Sequence, residues 1–147
     1  MSNLNYTWND LDRDIDFLHD LVCVSFDMTL PTLVLGVKRG GLIPAVMLSH
    51  SLSCPLSVIN YQTRDSDDEQ PLFNVEDINQ YQNIIVVDDL YDTGKTLDNI
   101  KEILDTTFPE KSIEFFVLLT NDDCKADYIN STGLLKPQSQ WVIFPWE

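Results

Sequence analysis

Positive charge is what this chain has least of. Nine Lys and Arg residues stand against twenty-four Asp and Glu, giving a formal net charge of −15 over 147 residues. Such a surface repels nucleic acids and anionic membranes, which speaks against an RNA- or DNA-binding regulator. Cysteine is also sparse. Cys23, Cys54 and Cys124 are odd in number, widely spaced and in no C-x-x-C pair, which speaks against a disulfide framework or a zinc knuckle and for three reduced thiols. Long apolar runs are missing too, so no membrane span is expected. The opening Met1-Ser2-Asn3-Leu4-Asn5-Tyr6 has neither the basic nor the apolar part of a signal peptide, and a cytoplasmic location is the expectation. His19 and His50 lie in helical segments without metal-ligand spacing, and satisfied or solvated imidazoles are the simpler reading.

What is present is a large apolar fraction, 44% of residues, enough to build a core and to exclude general disorder. The length suits one domain, taken as residues 1–147. Leu11, Ile15, Leu18 and Val22 recur at helical spacing after the capping candidates of Thr7-Trp8-Asn9-Asp10. Residues 32–37, 56–61, 84–87 and 113–119 are short apolar runs with the character of buried strands. A further short strand is expected around Tyr128-Ile129. Helices are expected over residues 42–52, with Pro44 tolerable in the first turn, and over residues 96–106, where Leu97, Ile100 and Leu104 share a face. The alternation implies an α/β fold with a mainly parallel twisted sheet flanked by helices. Residues 62–80 are polar, acidic and weakly periodic, as a mobile functional loop would be.

Two segments concentrate chemistry where apolar strands end, the place where open α/β sheets bind ligands. In the first, Lys38-Arg39-Gly40-Gly41 sets two of the scarce cations beside two glycines. In the second, a strand runs into a loop expected over residues 88–93, Asp88-Asp89-Leu90-Tyr91-Asp92-Thr93, and then Gly94-Lys95-Thr96 opens a helix. Backbone N–H groups and the helix dipole make such an N-terminus a phosphate site, and Thr93 and Thr96 add hydroxyl donors. Three carboxylates beside a phosphate cradle make sense if they hold ribose hydroxyls, a bridging Mg²⁺ or a transferred proton. Gly94-Lys95-Thr96 matches the end of a Walker A loop, but Asp89 stands where that loop needs glycine. The D-x-D-x-T order of phosphoaspartyl sites is absent.

The segment from Val86 to Thr96 resembles the ribose-phosphate signature of the type I phosphoribosyltransferases, most closely the xanthine–guanine and hypoxanthine–guanine branch. Val37-Lys38-Arg39-Gly40-Gly41-Leu42 is similar to that family's pyrophosphate loop. Tyr6-Thr7-Trp8 and the end Gln140-Trp141-Val142, followed by Pro145-Trp146, resemble the opening and the purine-binding end of the xanthine–guanine enzymes. The resemblance implies transfer of the phosphoribosyl group of 5-phosphoribosyl 1-pyrophosphate (PRPP) to a 6-oxopurine, with Mg²⁺ as cofactor and a homo-oligomer, dimer or tetramer, as the assembly. By it, Asp88 and Asp89 contact ribose hydroxyls directly or through the metal, which Asp89 holds. Asp92 is the catalytic acid–base near purine N7. Thr93, Gly94, Lys95 and Thr96 take the 5′-phosphate. Lys38, Arg39 and Gly40 bind pyrophosphate, with a cis peptide at Arg39-Gly40. Trp141 stacks on the purine, and the Val142 backbone meets its exocyclic edge. Residues 62–80 form the closing lid and residues 120–147 the purine-binding hood.

The chain departs from the family at the base. The lysine that recognises the 6-oxo group in relatives is replaced by Thr120 and Asn121, with Lys125 a few residues on, and Asn121 becomes the purine-binding candidate. Ile143 stands where the xanthine–guanine enzymes carry an acidic residue. These departures keep two alternatives open: a non-catalytic nucleotide- or PRPP-sensing protein on the same fold, and a related transferase using a non-purine base.

Overall fold

Apolar runs without alternation need cover on both faces, and that requirement organises the architecture. The computed structural model describes residues 3–61, 71–121, 126–132, 135–137 and 140–147. Among them the chain forms β1 (Asn3–Asn5), α1 (Trp8–Ser25), β2 (Thr32–Lys38), α2 (Leu42–Leu52), β3 (Leu56–Asn60) and α3 (Val75–Asn79). It continues as β4 (Asn83–Tyr91), α4 (Lys95–Thr107), β5 (Ser112–Asn121), β6 (Ile129–Ser131), β7 (Leu135–Lys136) and β8 (Trp141–Ile143). The main sheet runs β3-β2-β4-β5-β6, with β7 also on β5, and every strand pairing in it is parallel.

Period-2 geometry divides each strand between two cores. Val34, Ile85, Val87, Phe116 and Leu118 face α1 and α2. Leu33, Leu35, Ile84, Val86, Phe115 and Val117 face α3 and α4. The expected helix faces do the covering: Leu11, Ile15, Leu18 and Val22 from α1, and Leu97, Ile100 and Leu104 from α4, are all buried. Gly36 in β2 lets α2 approach, since a Cβ there would lie 2.8 Å from that of Ala45. A capping box starts α1: Asp10 N–H donates to Thr7 Oγ1 and Thr7 N–H to Asp10 Oδ2. Among the described residues no helix is long and apolar enough to cross a membrane.

Two expectations need correcting. Strand β4 does not stop at Val87. It continues to Tyr91, with Asp88 in register with Val117 and Tyr91 with Thr120, because β5 is long enough to pair it. The acidic pair is therefore held by a sheet, not by a loop. The expected lid divides as well. Residues 62–70 lie outside the described residues, but Leu72 and Asn60 exchange backbone hydrogen bonds of 2.8 and 2.9 Å. Asn74 then caps α3 by accepting from Asp77 N–H, and Ile78 is fully buried. The second half of that segment is anchored by this bridge, by the buried Ile78 and by the partly buried Phe73, whose ring meets Phe108.

A small second sheet joins the two ends of the chain. β1 and β8 pair in parallel, Leu4 opposite Val142, and Tyr6 N–H donates to Ile143 O at 2.9 Å. The Tyr6 hydroxyl donates to Asp14 Oδ2 at 2.6 Å, and its ring meets Phe144 and Trp146. Asp14 is only 3% exposed, and this hydrogen bond to Oδ2, with Arg13 Nε donating to Oδ1 at 3.2 Å, compensates its burial. Tyr6→Phe should destabilise the fold by about 1–3 kcal/mol, measured by urea unfolding. A change within error would mean that Asp14 finds water instead.

Candidate active site

Chain order places the site. From β2 the chain moves through α2 to β3 on one side, whereas β4 lies on the other side of β2. The carboxyl ends of β2 and β4 thus flank a switch in strand order, where a crevice opens between diverging connections. The loop of Lys38 to Gly41 and the acidic end of β4 meet there.

Their contact is backbone against backbone. A Cβ on Gly41 would overlap the Val87 carbonyl oxygen and lie 2.8 Å from Asp88 Cα; one on Gly40 would run into the Asp89 carboxylate. Only glycine fits either place. The Gly41 N–H donates to Val37 O at 2.9 Å, so the turn closes directly after β2. The cis peptide is Lys38-Arg39, one bond earlier than the Arg39-Gly40 expected from sequence; the turn that this hydrogen bond closes encloses both bonds, so the four-residue pattern alone does not choose between them. Lys38 and Arg39 project to solvent, with no ion-pair partner among the described residues.

Asp88 and Asp89 form a pair. The Asp89 N–H donates to Asp88 Oδ1 at 2.8 Å. Burial, then the charge of Asp89, pushes the Asp88 carboxyl well above the usual carboxylate range. Burial also raises Asp89, against hydrogen bonds from the Asp88 side chain and the Leu90 backbone, and the Glu147 charge adds to the rise. Both carboxyls are thus harder to ionise than ordinary ones, and a nearby cation would oppose that rise. Among the described residues there is no group of three or more His, Cys, Asp or Glu that could hold a metal by itself. Two carboxylates nevertheless suit Mg²⁺, which usually keeps several waters and binds through one or two carboxylates plus substrate phosphates.

Past β4 the chain turns into α4 at Gly94, whose φ of 87° lies in the left-handed region that glycine adopts without strain. No side chain at this N-cap satisfies the first-turn amides, although Lys95 N–H leans on Thr93 Oγ1 at 3.4 Å. Asp88, Asp92, Thr93, Gly94 and Thr96 line a pocket of about 90 Å³ at this end. Asn121 reaches in from β5 and donates from Nδ2 to Asp92 Oδ1 at 2.7 Å. Lys136, which sequence reasoning missed, approaches the same oxygen from β7, with Nζ 3.4 Å away. Its only sequence signal was a cation next to the apolar Leu134-Leu135. Lys125 lies outside the described residues.

The terminal tryptophans part company. Trp146 stacks on Phe144 and meets Trp8, so it closes the core, whereas Trp141 on β8 is 68% exposed. The side chain of Val142 packs inward, leaving only its backbone for any ligand.

The raised Asp88 carboxyl has a pH consequence. A carboxyl raised in the folded state holds its proton where the unfolded chain has lost it. The stability it adds is full below the unfolded value and is lost as pH rises through the folded one. Asp88→Asn imitates the protonated partner at every pH. Its melting temperature should exceed the parent's at neutral pH, and the gap should close as pH falls toward about 4. Parallel melting curves across that range would refute the raised Asp88 carboxyl.

A model of the phosphoribosyl transferase domain matches residues 25–147. The xanthine-guanine phosphoribosyltransferase of Idiomarina loihiensis is 29% identical over 119 residues, 78% of this chain and 70% of that protein. The enzyme of the same name from Gluconobacter oxydans is 27% identical over 150 residues, 96% of this chain and 82% of that one. A crystal structure of a purine phosphoribosyltransferase from Pyrococcus horikoshii aligns with 100% of this chain and 95% of its own, at 31% identity and a TM-score of 0.76. With the pattern of strands, glycines and carboxylates just described, these matches make the chain a member of the phosphoribosyltransferase family, with the type I fold of its purine phosphoribosyltransferases.

Proposed function

We propose that the chain transfers the phosphoribosyl group of PRPP to a 6-oxopurine (hypoxanthine, guanine or xanthine), releasing pyrophosphate. The observation that carries this reading is the convergence, at one switch point, of three parts suited to three parts of one substrate. The exposed Lys38 and Arg39 beside Gly40 suit pyrophosphate. The amides of the α4 N-terminus, with Thr93, Gly94, Lys95 and Thr96, suit the 5′-phosphate. Asp88 and Asp89, between them, suit the ribose hydroxyls.

The chemistry separates an anionic leaving group from a sugar that gains positive charge. Lys38, Arg39 and the loop amides stabilise the first, and the carboxylates beside the ribose favour the second. Asp89, with Asp88 behind it, would hold Mg²⁺ against the pyrophosphate. The metal's part is to neutralise substrate charge that the acidic pair would otherwise repel. Asp92 sits beyond the ribose carboxylates, half-exposed and hydrogen-bonded by Asn121, where it can take the proton a purine gives up as its N9 attacks C1. The exposed indole of Trp141 offers a stacking face, and stacking supplies affinity for any flat base without choosing among them.

Pyrophosphate release, assayed over a panel of purines and pyrimidines, tests the reading. Turnover is expected with 6-oxopurines, and none in excess chelator. No release with any base would leave the sensor alternative in possession. Asp92→Asn should lower turnover by roughly 10²–10⁴-fold while changing PRPP affinity little; parental turnover at saturating substrate would remove Asp92 from proton transfer. Trp141→Ala should raise the Michaelis constant for the base and spare that for PRPP. Equal losses for both substrates would move the base elsewhere.

A further inference from the structure

We infer that Lys136 is the residue that selects an oxo group over an amino group on the base, an assignment that rests on the function proposed above. Lys136 is 6% exposed, so its ammonium is almost wholly removed from water. An ammonium carries three donors, yet among the described residues its one partner is Asp92 Oδ1, at 3.4 Å. Burying a cation on so thin a match is unfavourable unless an acceptor arrives to complete it.

The placement says which acceptor. In the parallel pairing of β7 with β5, Lys136 is in register with Asn121, and both side chains converge on one oxygen of Asp92. If Asp92 faces purine N7, the next group along that edge meets Lys136. On a 6-oxopurine that group is an acceptor; on a 6-aminopurine it is an N–H₂ donor. An ammonium has no acceptor to offer the amino group and would leave two donors opposed. Lys136 thereby reads the 6-position, and Asn121, bonded to Asp92, fixes the carboxylate against which it reads.

Lys136→Met keeps length and burial but removes the donor. Its kcat/KM for hypoxanthine should fall by roughly 10–100-fold, that for adenine should hold or rise, and the KM for PRPP should stay near the parent's. Should this variant fail to fold, Lys136→Gln reads the same ratio with a neutral side chain. Equal effects on the two bases, no effect, or a parent that uses adenine as readily as hypoxanthine would overturn the assignment and leave the proposed function standing. A parent inactive with every base would instead overturn the proposed function. In that case calorimetry with inosine and adenosine monophosphates decides: preference for the inosine nucleotide, lost in Lys136→Met, upholds the role of Lys136. A parent without that preference, or binding neither nucleotide, ends it.

Discussion

The site depends on how closely two backbones approach. Gly40 and Gly41 lie against the last residues of β4, where a methyl group would collide with a carbonyl oxygen, a Cα atom or a carboxylate. This contact brings the chain's cationic loop, Lys38-Arg39, to the chain's most crowded carboxylates. It also fixes what each loop can do. The first loop is seated on Val87 to Asp89, and the Asp89 carboxylate lies directly against Gly40. Gly36, further back in β2, seats α2 by the same device of a missing side chain, so the close approach runs from the core to the carboxyl ends of β2 and β4.

Electrostatics follows from that packing. In a protein of net charge −15, binding a polyanion depends on where the few cations stand. Two are held out to solvent at the end of β2. Between them and the start of α4 lies an acidic pair whose burial and mutual charge make both carboxyls harder to ionise. Such a pair is poised for a cation or for sugar hydroxyls, and is poorly matched to a bare phosphate. On the proposed function, the arrangement would sort the parts of one substrate by charge, with positive loop, acidic centre and helix dipole in sequence along the crevice.

How much of this could be read in the sequence tracks how local each part is. The strand and helix frame was legible because both cores use uninterrupted patterns: Leu33 to Val37 and Ile84 to Val87 as runs, Leu97, Ile100 and Leu104 as a stripe. The turn from β4 into α4 was legible because Asp88 to Thr96 is contiguous and its glycine falls where φ is positive. The end of β4 was misread as loop because two aspartates look like a strand terminator, and only pairing with β5 carries the strand on to Tyr91. The position of the cis bond was one residue off because the sequence Lys-Arg-Gly-Gly does not say where Val37 will accept its hydrogen bond. The β1–β8 sheet was invisible: two three-residue strands at opposite ends of the chain have no period to detect.

The base end illustrates the limit most clearly, and it has a physical reason. Its donors come from β5 and β7 and meet Asp92 only after a parallel register pairs Asn121 with Lys136. No spacing rule connects residues 92, 121 and 136, so a search for a lysine at the end of the β5 apolar run finds Thr120 and Asn121, the last residues of the strand, and looks onward to Lys125. The sheet offers another route, since a strand added beside β5 can deliver a side chain to the same space from a different part of the sequence. A sugar-phosphate site built from one continuous turn leaves little room for such exchange, because its amides, glycine and carboxylates are fixed by neighbouring bonds. Base recognition assembled across strands can pass from one element to another while the geometry around Asp92 stays intact.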